Sequence, residues 1–225
     1  MKKAIKGILV VLGACCFFGF GSMDVFDRGI DKTPAINLVN RRNADIWNKH
    51  AIDSVVATLQ SGNIVLRMGL GADSHLLAQI NRKDKSYSHC GIVMVEDGYP
   101  FVYHSIGGED NPDERLRRDS ANFFFSPDHN IRLAVIQYDY SAEKVQELRQ
   151  VVGAFYHSRP RFDMQFDLKT DDKLYCSEFV YKAITRTMND TAYISTTSVL
   201  GHNIVGIDDL FMNKHASIAC QLKFE

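Results

Sequence analysis

Apolar positions along the chain recur with two periods, which separate helices from strands. From Arg41 to Gln60 they recur every three or four residues, and this predicts an amphipathic helix that Ser61-Gly62 ends. Helical spacing also predicts helices over 74–81, 141–157 and 175–188. Short runs rich in β-branched residues predict strands over 63–67, 88–95, 100–105, 131–138 and 217–224.

Two of the strands are predicted to form a hairpin. Glu96-Asp97-Gly98 lies between 88–95 and 100–105, and Asp-Gly is typical of tight turns between antiparallel strands. The polar segments 106–122 and 159–173 are interpreted as long loops that shape a binding site. The pattern indicates an α+β fold in which helices pack on one side of a small antiparallel sheet.

The N-terminal residues have the character of a targeting segment. Lys2, Lys3 and Lys6 precede an apolar run, so 1–22 is interpreted as a secretory signal. The stretch that ends at Cys15 resembles a bacterial lipobox, whose cysteine is lipidated. Apolar character continues to about Met23, so an uncleaved membrane anchor is the competing interpretation. The secretory signal, the lipobox and the uncleaved anchor each predict an extracytoplasmic chain, in the periplasm or on the outer surface. Residues 23–57 are then the tether and N-terminal helix, and 58–225 are the functional domain.

Composition narrows the class of protein. The chain has 225 residues, of which 45% are apolar, and a net charge of -1, which suits one domain with a full core. It has no basic stripe with interleaved aromatics, so no nucleic-acid partner is expected. Arg115, Arg117 and Arg118 are interpreted as a solvated loop cluster. Five cysteines without CxxC spacing do not form a disulfide scaffold, and three of them lie outside the targeting segment.

Cys176 is the candidate nucleophile. It begins the helix predicted over 175–188, and a helix N-terminus presents unpaired N–H groups and a partial positive charge. Both favour the thiolate, and the same N–H groups can stabilise an oxyanion. The alternative is a buried structural cysteine, since unpaired cysteines are often buried.

His89 and His104 are the candidate base and its orienting partner. His89 opens a strand, so it shares a face with Gly91, while Cys90 points to the other face. Gly91 leaves room beside the imidazole for a substrate or a close backbone. A histidine on this strand that faces the start of the 175–188 helix suits a general base for the thiol of Cys176. The hairpin brings His104 near position 89 or 90, where it could fix the tautomer of His89. The alternatives are ordinary core or strand-end histidines, since the chain has eight.

Other chemistries find less support in the sequence. His89, Cys90 and His104 could in principle bind zinc, but the first two should point to opposite faces of their strand. There is no GxSxG motif for a serine nucleophile. No metal and no cofactor are therefore expected.

Four motifs together resemble a known family. Gly62-Asn-Ile-Val, Ser88-His-Cys-Gly-Ile-Val, Val102-Tyr-His and Tyr175-Cys-Ser-Glu-Phe-Val follow one another in the order found in the permuted papain-like amidases of the YiiX/YaeF type. Those proteins are relatives of the NlpC cell-wall hydrolases and of lecithin retinol acyltransferase. The resemblance covers roughly residues 58 to 190 and implies a permuted papain-like, NlpC-like fold.

The resemblance also implies roles for individual residues. Cys176 is then the nucleophile, His89 its base and His104 the third polar residue, which is a carboxylate in some members. Asn63 stands where the family usually has Asp, and it is interpreted as structural. Glu178 is interpreted as structural or as lining the edge of the site. The implied reaction is cleavage of an amide through an acyl-enzyme, with a wall peptide of peptidoglycan as the favoured substrate. The alternatives are a lipid or N-acyl hydrolase or acyltransferase of the same fold, and a non-catalytic binding module.

Overall fold

One antiparallel sheet of six strands organises the chain. The computed structural model describes residues 46–108, 111–199 and 202–224, within a compact unit that spans Val39–Glu225. The strands are β1 (Ile64–Gly69), β2 (His89–Glu96), β3 (Tyr99–His104), β4 (Arg117–Ser120), β5 (Asn130–Tyr138) and β10 (Ala216–Lys223). Their order in the sheet is β10-β5-β1-β2-β3-β4, so β2 lies inside the sheet and β4 at its edge.

Six helices and two small strand pairs complete the described fold. The helices are α1 (Ile46–Ala57), α2 (Ala72–Ala78), α3 (Ala121–Phe124), α4 (Ala142–Ser158), α5 (Cys176–Met188) and α6 (Ile207–Phe211). The short strands are β6 (Arg161–Phe162) with β7 (Lys173–Leu174), which are parallel, and β8 (Thr197–Val199) with β9 (His202–Ile204), which are antiparallel.

The two faces of the sheet bury two separate cores. On one face, Ile64, Ile92 and Met94 pack with Leu148 of α4 and Phe179 of α5; this side is called the α5 face. On the other, the buried cluster contains Val65, Val93, Val102 and Phe124 of the sheet and α3, with Ile52 and Val55 of α1; this side is called the Phe124 face. Alternation along each strand sends neighbouring side chains to different cores.

Most predicted elements are confirmed, while two predicted loops and the expected placement of the helices are corrected. The hairpin of β2 and β3 turns at Asp97 and Gly98, both with positive φ, as the Asp-Gly signal indicates. The segment 106–122 is not all loop, because it contains β4 and the start of α3. The segment 159–173 contributes the short β6 and β7. Helices also cover both faces of the sheet rather than one, since α1 and α3 pack on the Phe124 face.

The predictions for the N-terminus concern residues that the structure does not describe. The signal at 1–22, Cys15 and the tether before residue 46 lie outside the described residues. Within the described ranges, no helix combines the length and the apolar character that crossing a bilayer requires.

Candidate active site

The first two residues of β2 separate the candidate chemistry onto two faces. His89 points to the Phe124 face, where its ring centroid lies 5.7 Å from that of Phe124. Cys90 points to the α5 face and belongs to its core, fully buried. The alternation predicted from the sequence is therefore present in the structure.

His104 lies directly beside His89. Nε2 of His89 and Nδ1 of His104 are 2.8 Å apart, and both side chains are buried. Gly91 permits this approach: a Cβ at Gly91 would lie 2.8 Å from the Tyr103 carbonyl oxygen and 3.0 Å from Cβ of His104. The space beside the imidazole is thus occupied by the backbone of β3, which was one of the two options for Gly91.

A carboxylate and a guanidinium extend the pair of histidines. Nε2 of His104 lies 3.0 Å from Oδ2 of Asp119. Arg117 donates from Nη2 to Oδ1 of the same carboxylate at 2.9 Å. Register explains the contact, because β3 and β4 pair His104 with Arg117 and Val102 with Asp119, which puts all of these side chains on the Phe124 face.

This polar chain fixes the proton positions on both rings. Hydrogen bonds from His104 and Arg117 overcome the effect of burial and hold the pKa of Asp119 below its usual range, so Asp119 is an acceptor. His104 must then carry its proton on Nε2 and accept at Nδ1 in the neutral state. His89 consequently donates from Nε2, which leaves its Nδ1 with the lone pair that a base requires.

The Phe124 face also keeps both histidines neutral. Phe124 packs against His89 and, at 5.2 Å between centroids, against His104. Burial lowers the pKa of His89 well below its usual range, and the positive charges of Arg67 and Arg117 act in the same direction. Burial likewise lowers the pKa of His104, although Asp119 opposes the shift. A neutral His89 is the form that can accept a proton.

Cys176 occupies the first position of α5, where the helix N-terminus favours an anion. The thiol of Cys90 donates to the sulfur of Cys176 and lowers its pKa, against the opposing effect of burial. The backbone N–H groups of Cys90 and Ser177 also donate to this sulfur. Donors of this kind stabilise a thiolate, as the sequence predicts for the start of this helix.

The structure changes the expected relation between Cys176 and His89. The sequence predicts that His89 faces the start of α5, whereas the residue of β2 that does so is Cys90. Among the described residues, the donors to the Cys176 sulfur are on Cys90 and Ser177 rather than on His89. The backbone N–H of Cys90, the residue directly after His89, nevertheless contributes to the lowered pKa of Cys176.

Glu178 and Asn63 have structural contacts. The backbone N–H of Tyr175 donates to Oε2 of Glu178 at 3.2 Å, which caps α5. Nζ of Lys182 lies 2.8 Å from Oε1 of the same buried carboxyl. Oδ1 of Asn63 accepts from the N–H of Gln60 at 2.8 Å and so holds the turn before β1. Both contacts agree with the structural roles expected for these residues.

Sequence patterns did not predict the part that three residues take in this region. Arg117 is expected in a solvated loop but lies on β4 in contact with Asp119. Asp119 carries no motif, and its strand has only polar residues, Arg-Arg-Asp-Ser. Cys90 is considered only as a metal ligand. The sequence offers one signal for this region, which is the N-cap residue Ser120. Its side chain accepts from the N–H of Phe123, so the segment before it must end where α3 begins.

A pocket of about 440 Å³ adjoins the far end of the polar chain. Its lining residues include four arginines and Asp119, and it reaches neither His89 nor Cys176. Arg118, expected in a solvated loop, pairs here with Glu96 and lies over the ring of Phe101. The pocket therefore meets the candidate site only through Asp119 and its partner Arg117.

Potential metal ligands do not converge in the described part of the chain. No group of three or more His, Cys, Asp and Glu side chains there has an arrangement that could hold a metal ion. The ring nitrogens of His89 and His104 that face each other are 2.8 Å apart, which is a hydrogen-bond distance.

Comparisons with known proteins bear on the fold. No family model matches the sequence, and no curated protein matches it. A crystal structure described as that of the metalloprotein YiiX from Escherichia coli O157:H7 matches with a TM-score of 0.60 and 17% identity. The match covers 73% of this chain and 98% of that one. The chain therefore has a YiiX-like fold, a mixed α/β architecture built on an antiparallel sheet.

Proposed function

We propose that this protein is a cysteine hydrolase in which Cys176 attacks an acyl carbonyl and His89 acts as the base. The observation that carries the proposal is the hydrogen-bonded chain from Asp119 through His104 to His89. It ends at His89, the residue directly before Cys90, whose backbone N–H lowers the pKa of Cys176. A buried chain of this kind orients an imidazole and sets its tautomer.

In the proposed first step, the proton of Cys176 passes to Nδ1 of His89 through water at the start of β2, because the two side chains lie on different faces of the sheet. Asp119 stabilises the positive charge that then develops on the paired histidines. The thiolate is held by the donors on Cys90 and Ser177 until the carbonyl arrives.

In the following steps an acyl-enzyme forms and is hydrolysed. The Cys176 sulfur bonds to the carbonyl carbon, and the backbone N–H of Cys176 at the start of α5 stabilises the oxyanion. His89 returns its proton to the leaving amine or alcohol. It then removes a proton from water, which attacks the thioester and releases the acid.

We propose that the protein is related to the permuted papain-like amidases. Support comes from the order of the motifs along the chain, with the histidine strand before the cysteine helix, and from the YiiX-like fold. The YiiX protein itself is described as a metalloprotein. The described side chains around Cys176 and His89 do not converge as a ligand set, so no step of the proposal uses a metal.

The proposed substrate is a peptide amide of peptidoglycan outside the cytoplasm. The support is the signal-like N-terminus, with membrane attachment through an anchor or a lipid on Cys15. A lipid or N-acyl substrate is the alternative for the same chemistry. The mass of the mature protein tests the N-terminal part, since a mass without diacylglycerol contradicts lipidation of Cys15.

One observation favours a second candidate, a non-catalytic binding module. The donors to the Cys176 sulfur lie on Cys90 and Ser177, and Cys90 rather than His89 belongs to the core on that face. A protein that had lost catalysis would retain the YiiX-like fold without a reactive thiol. Thiol reactivity and substrate turnover distinguish the two candidates.

The test is mass analysis of the products from purified peptidoglycan and from lipid extracts. The wild-type protein should release a new acid and its amine or alcohol from one of these substrates. Cys176→Ala should release none. Cys220→Ala should match the wild type, because Cys220 lies on the edge strand β10, which β5 and β1 separate from β2. Equal product from wild type and Cys176→Ala would overturn the proposal.

A further inference from the structure

The pocket at the edge of the sheet has an excess of positive charge. It encloses about 440 Å³, and its walls come from the loop before β4, from β4 itself and from the C-terminal end of α4. The charged residues of its described lining are four arginines and two aspartates: Arg115, Arg117, Arg118, Arg159, Asp113 and Asp119. These residues give the lining two more positive than negative charges, on a chain whose net charge is -1. It is called the arginine pocket below.

Hydrogen bonds between these segments hold the walls of the arginine pocket in place. The N–H of Leu116 donates to the carbonyl oxygen of Pro160 at 3.1 Å, which ties the start of β4 to the residues after α4. Nδ2 of the buried Asn111 donates to the carbonyl oxygens of Ile106 and Arg115, both at 2.7 Å. The loop before β4 is therefore fixed on both sides, and such a largely pre-formed cavity is typical of small-molecule sites.

Arg115 and Arg159 use few of their guanidinium donors within the described part of the chain. Arg115 donates from Nη1 to the carbonyl oxygen of Arg159 at 2.5 Å and forms no ion pair with a described carboxylate. Arg159 donates from Nη2 to Asp113 at 3.1 Å, in an ion pair whose side chains are both more than half exposed. A guanidinium has five donors in a planar fork, which matches the oxygens of a carboxylate or a phosphate.

The other two arginines of the pocket are held by partners of their own. Arg117 donates to Asp119, while Arg118 pairs with Glu96 and lies over the ring of Phe101. Their charge still adds to the positive potential inside the pocket. Direct contacts to a ligand are therefore expected from the two less constrained arginines.

The lining also offers space and an apolar wall for an organic group. Leu116 and Tyr156 line the pocket beside the arginines. The volume lies within the range of ~300–1,000 Å³ that small-molecule sites have, so it accommodates more than a single inorganic anion. A ligand that fits both features has a negatively charged group and a carbon skeleton.

We infer that the arginine pocket is a binding site for an organic oxyanion, a phosphate ester or a carboxylate, held by Arg115 and Arg159. Neither Cys176 nor His89 lines the pocket, so the site is separate from the candidate nucleophile and base. The inference goes beyond the proposed hydrolysis and does not depend on it. Asp113 competes with the ligand for Arg159, because the two form an ion pair in the described structure.

The test is isothermal titration calorimetry of the full chain at ~0.15 M salt, where long-range attraction between exposed charges is largely screened. Three probes share a benzene ring: phenyl phosphate carries a phosphate, phthalate carries two carboxylates, and phenol is uncharged at neutral pH. At least one of the two anions should bind ~10-fold or more tightly than phenol, because hydrogen bonds between ionised groups are strong. The anion that binds more tightly identifies phosphate or carboxylate as the ligand chemistry. Binding of both anions no tighter than that of phenol would overturn the inference.

Variants test whether the anion binds in this pocket. The double variant Arg115→Gln/Arg159→Gln should weaken anion binding ~10-fold or more, because two charge-assisted contacts are lost. Asp113→Asn should strengthen it ~2- to 5-fold, because Arg159 is released from an exposed ion pair. The matched control is Arg82→Gln, since Arg82 is exposed and lies outside the pocket, and it should leave the affinity unchanged.

Modification with phenylglyoxal, which reacts with guanidinium groups, locates the site without any substitution. Peptide mass mapping should show that the bound anion slows modification of Arg115 and Arg159 but not of Arg82. Equal modification of all three arginines with and without the anion would overturn the inference. An affinity that falls as much in Arg82→Gln as in the double variant would do the same, because it would show attraction by charge in general.

Discussion

The two faces of the sheet meet different chemistry at the start of β2. On the Phe124 face, His89 is tied through His104 to an ionised Asp119 in a chain of 2.8 and 3.0 Å contacts. On the α5 face, Cys90 lies in the core that Cys176 packs against from a helix N-terminus, and donors on Cys90 and Ser177 lower the pKa of Cys176. One face therefore controls where a proton is accepted, and the other controls the charge on a sulfur.

The difference explains why neither face suffices for hydrolysis. The α5 face can hold a thiolate but has no group that returns a proton to a leaving amine. The histidine chain can exchange a proton but contains no nucleophile. In the proposed reaction the two are joined at the peptide bond between His89 and Cys90, whose N–H lowers the pKa of Cys176.

Removal of His89 breaks the connection between the faces and has the largest expected effect. His89→Ala should lower the hydrolysis rate by ~10⁴-fold, because both proton transfers lose their carrier. His75→Ala removes an exposed histidine on α2 and should leave the rate unchanged. The measurement is product release at neutral pH, with the melting temperature as the check on folding. A folded His89→Ala protein with wild-type rate would separate His89 from the chemistry.

Asp119→Asn tests whether the polar chain on the Phe124 face sets the tautomer of His89. An asparagine amide can donate to Nε2 of His104, which moves the proton of that ring to Nδ1 and forces His89 to accept there. His89 would then carry its proton on Nδ1 and lose its basic site. The expected fall in the hydrolysis rate is ~10³-fold, smaller than for His89→Ala.

The matched control for that change is Asp113→Asn. Asp113 forms an exposed ion pair with Arg159 at 3.1 Å and lines the same pocket as Asp119. Its loss should change the rate little, since exposed pairs contribute at most ~1 kcal/mol. Equal effects of the two substitutions would indicate that pocket charge, rather than the tautomer of His89, controls the site.

Glu178→Gln tests the α5 face through stability and has the smallest expected effect. Burial raises the pKa of Glu178 to about 7, against the opposing influence of Lys182. The folded chain thus keeps a proton that the unfolded chain releases above pH ~4.5, so stability falls as pH rises towards about 7. The variant should lack this fall, which amounts to at most about 3 kcal/mol.

Urea unfolding at pH 5 and pH 8 measures that difference. Glu147→Gln is the control, because Glu147 pairs with Lys144 on the exposed side of α4. The control should retain the pH dependence of the wild type. A Glu178→Gln protein that loses stability between pH 5 and pH 8 as the wild type does would show that another group is responsible.

Local sequence signals predict the parts of the fold that have strong periodicity. The hairpin of β2 and β3 follows from alternation and the Asp97-Gly98 turn, and α5 follows from helical spacing. The strand β4 could not be predicted this way, because edge strands can be fully charged and its four residues give no apolar signal. Asp119 was missed for the same reason.

The candidate site was likewise predictable only in part from local sequence signals. Alternation correctly separates His89 from Cys90, and the hairpin correctly brings His104 to His89. Which face of the sheet α5 covers depends on packing among residues far apart in the chain, so the packing of Cys176 against the core that contains Cys90 could not be read from either motif. The expectation that His89 faces the start of α5 came from the chemistry of a base beside a thiol and not from a packing signal.

The pH dependence of Cys176 alkylation decides whether Cys176 and His89 act as nucleophile and base. Iodoacetamide labelling of Cys176 is followed by mass spectrometry in the wild type and in His89→Ala. We predict half-maximal labelling below the pH ~8.5 of a free thiol, with a shift to higher pH in His89→Ala. Labelling near pH 6 that is no faster than that of free cysteine, and unchanged in His89→Ala, would contradict it.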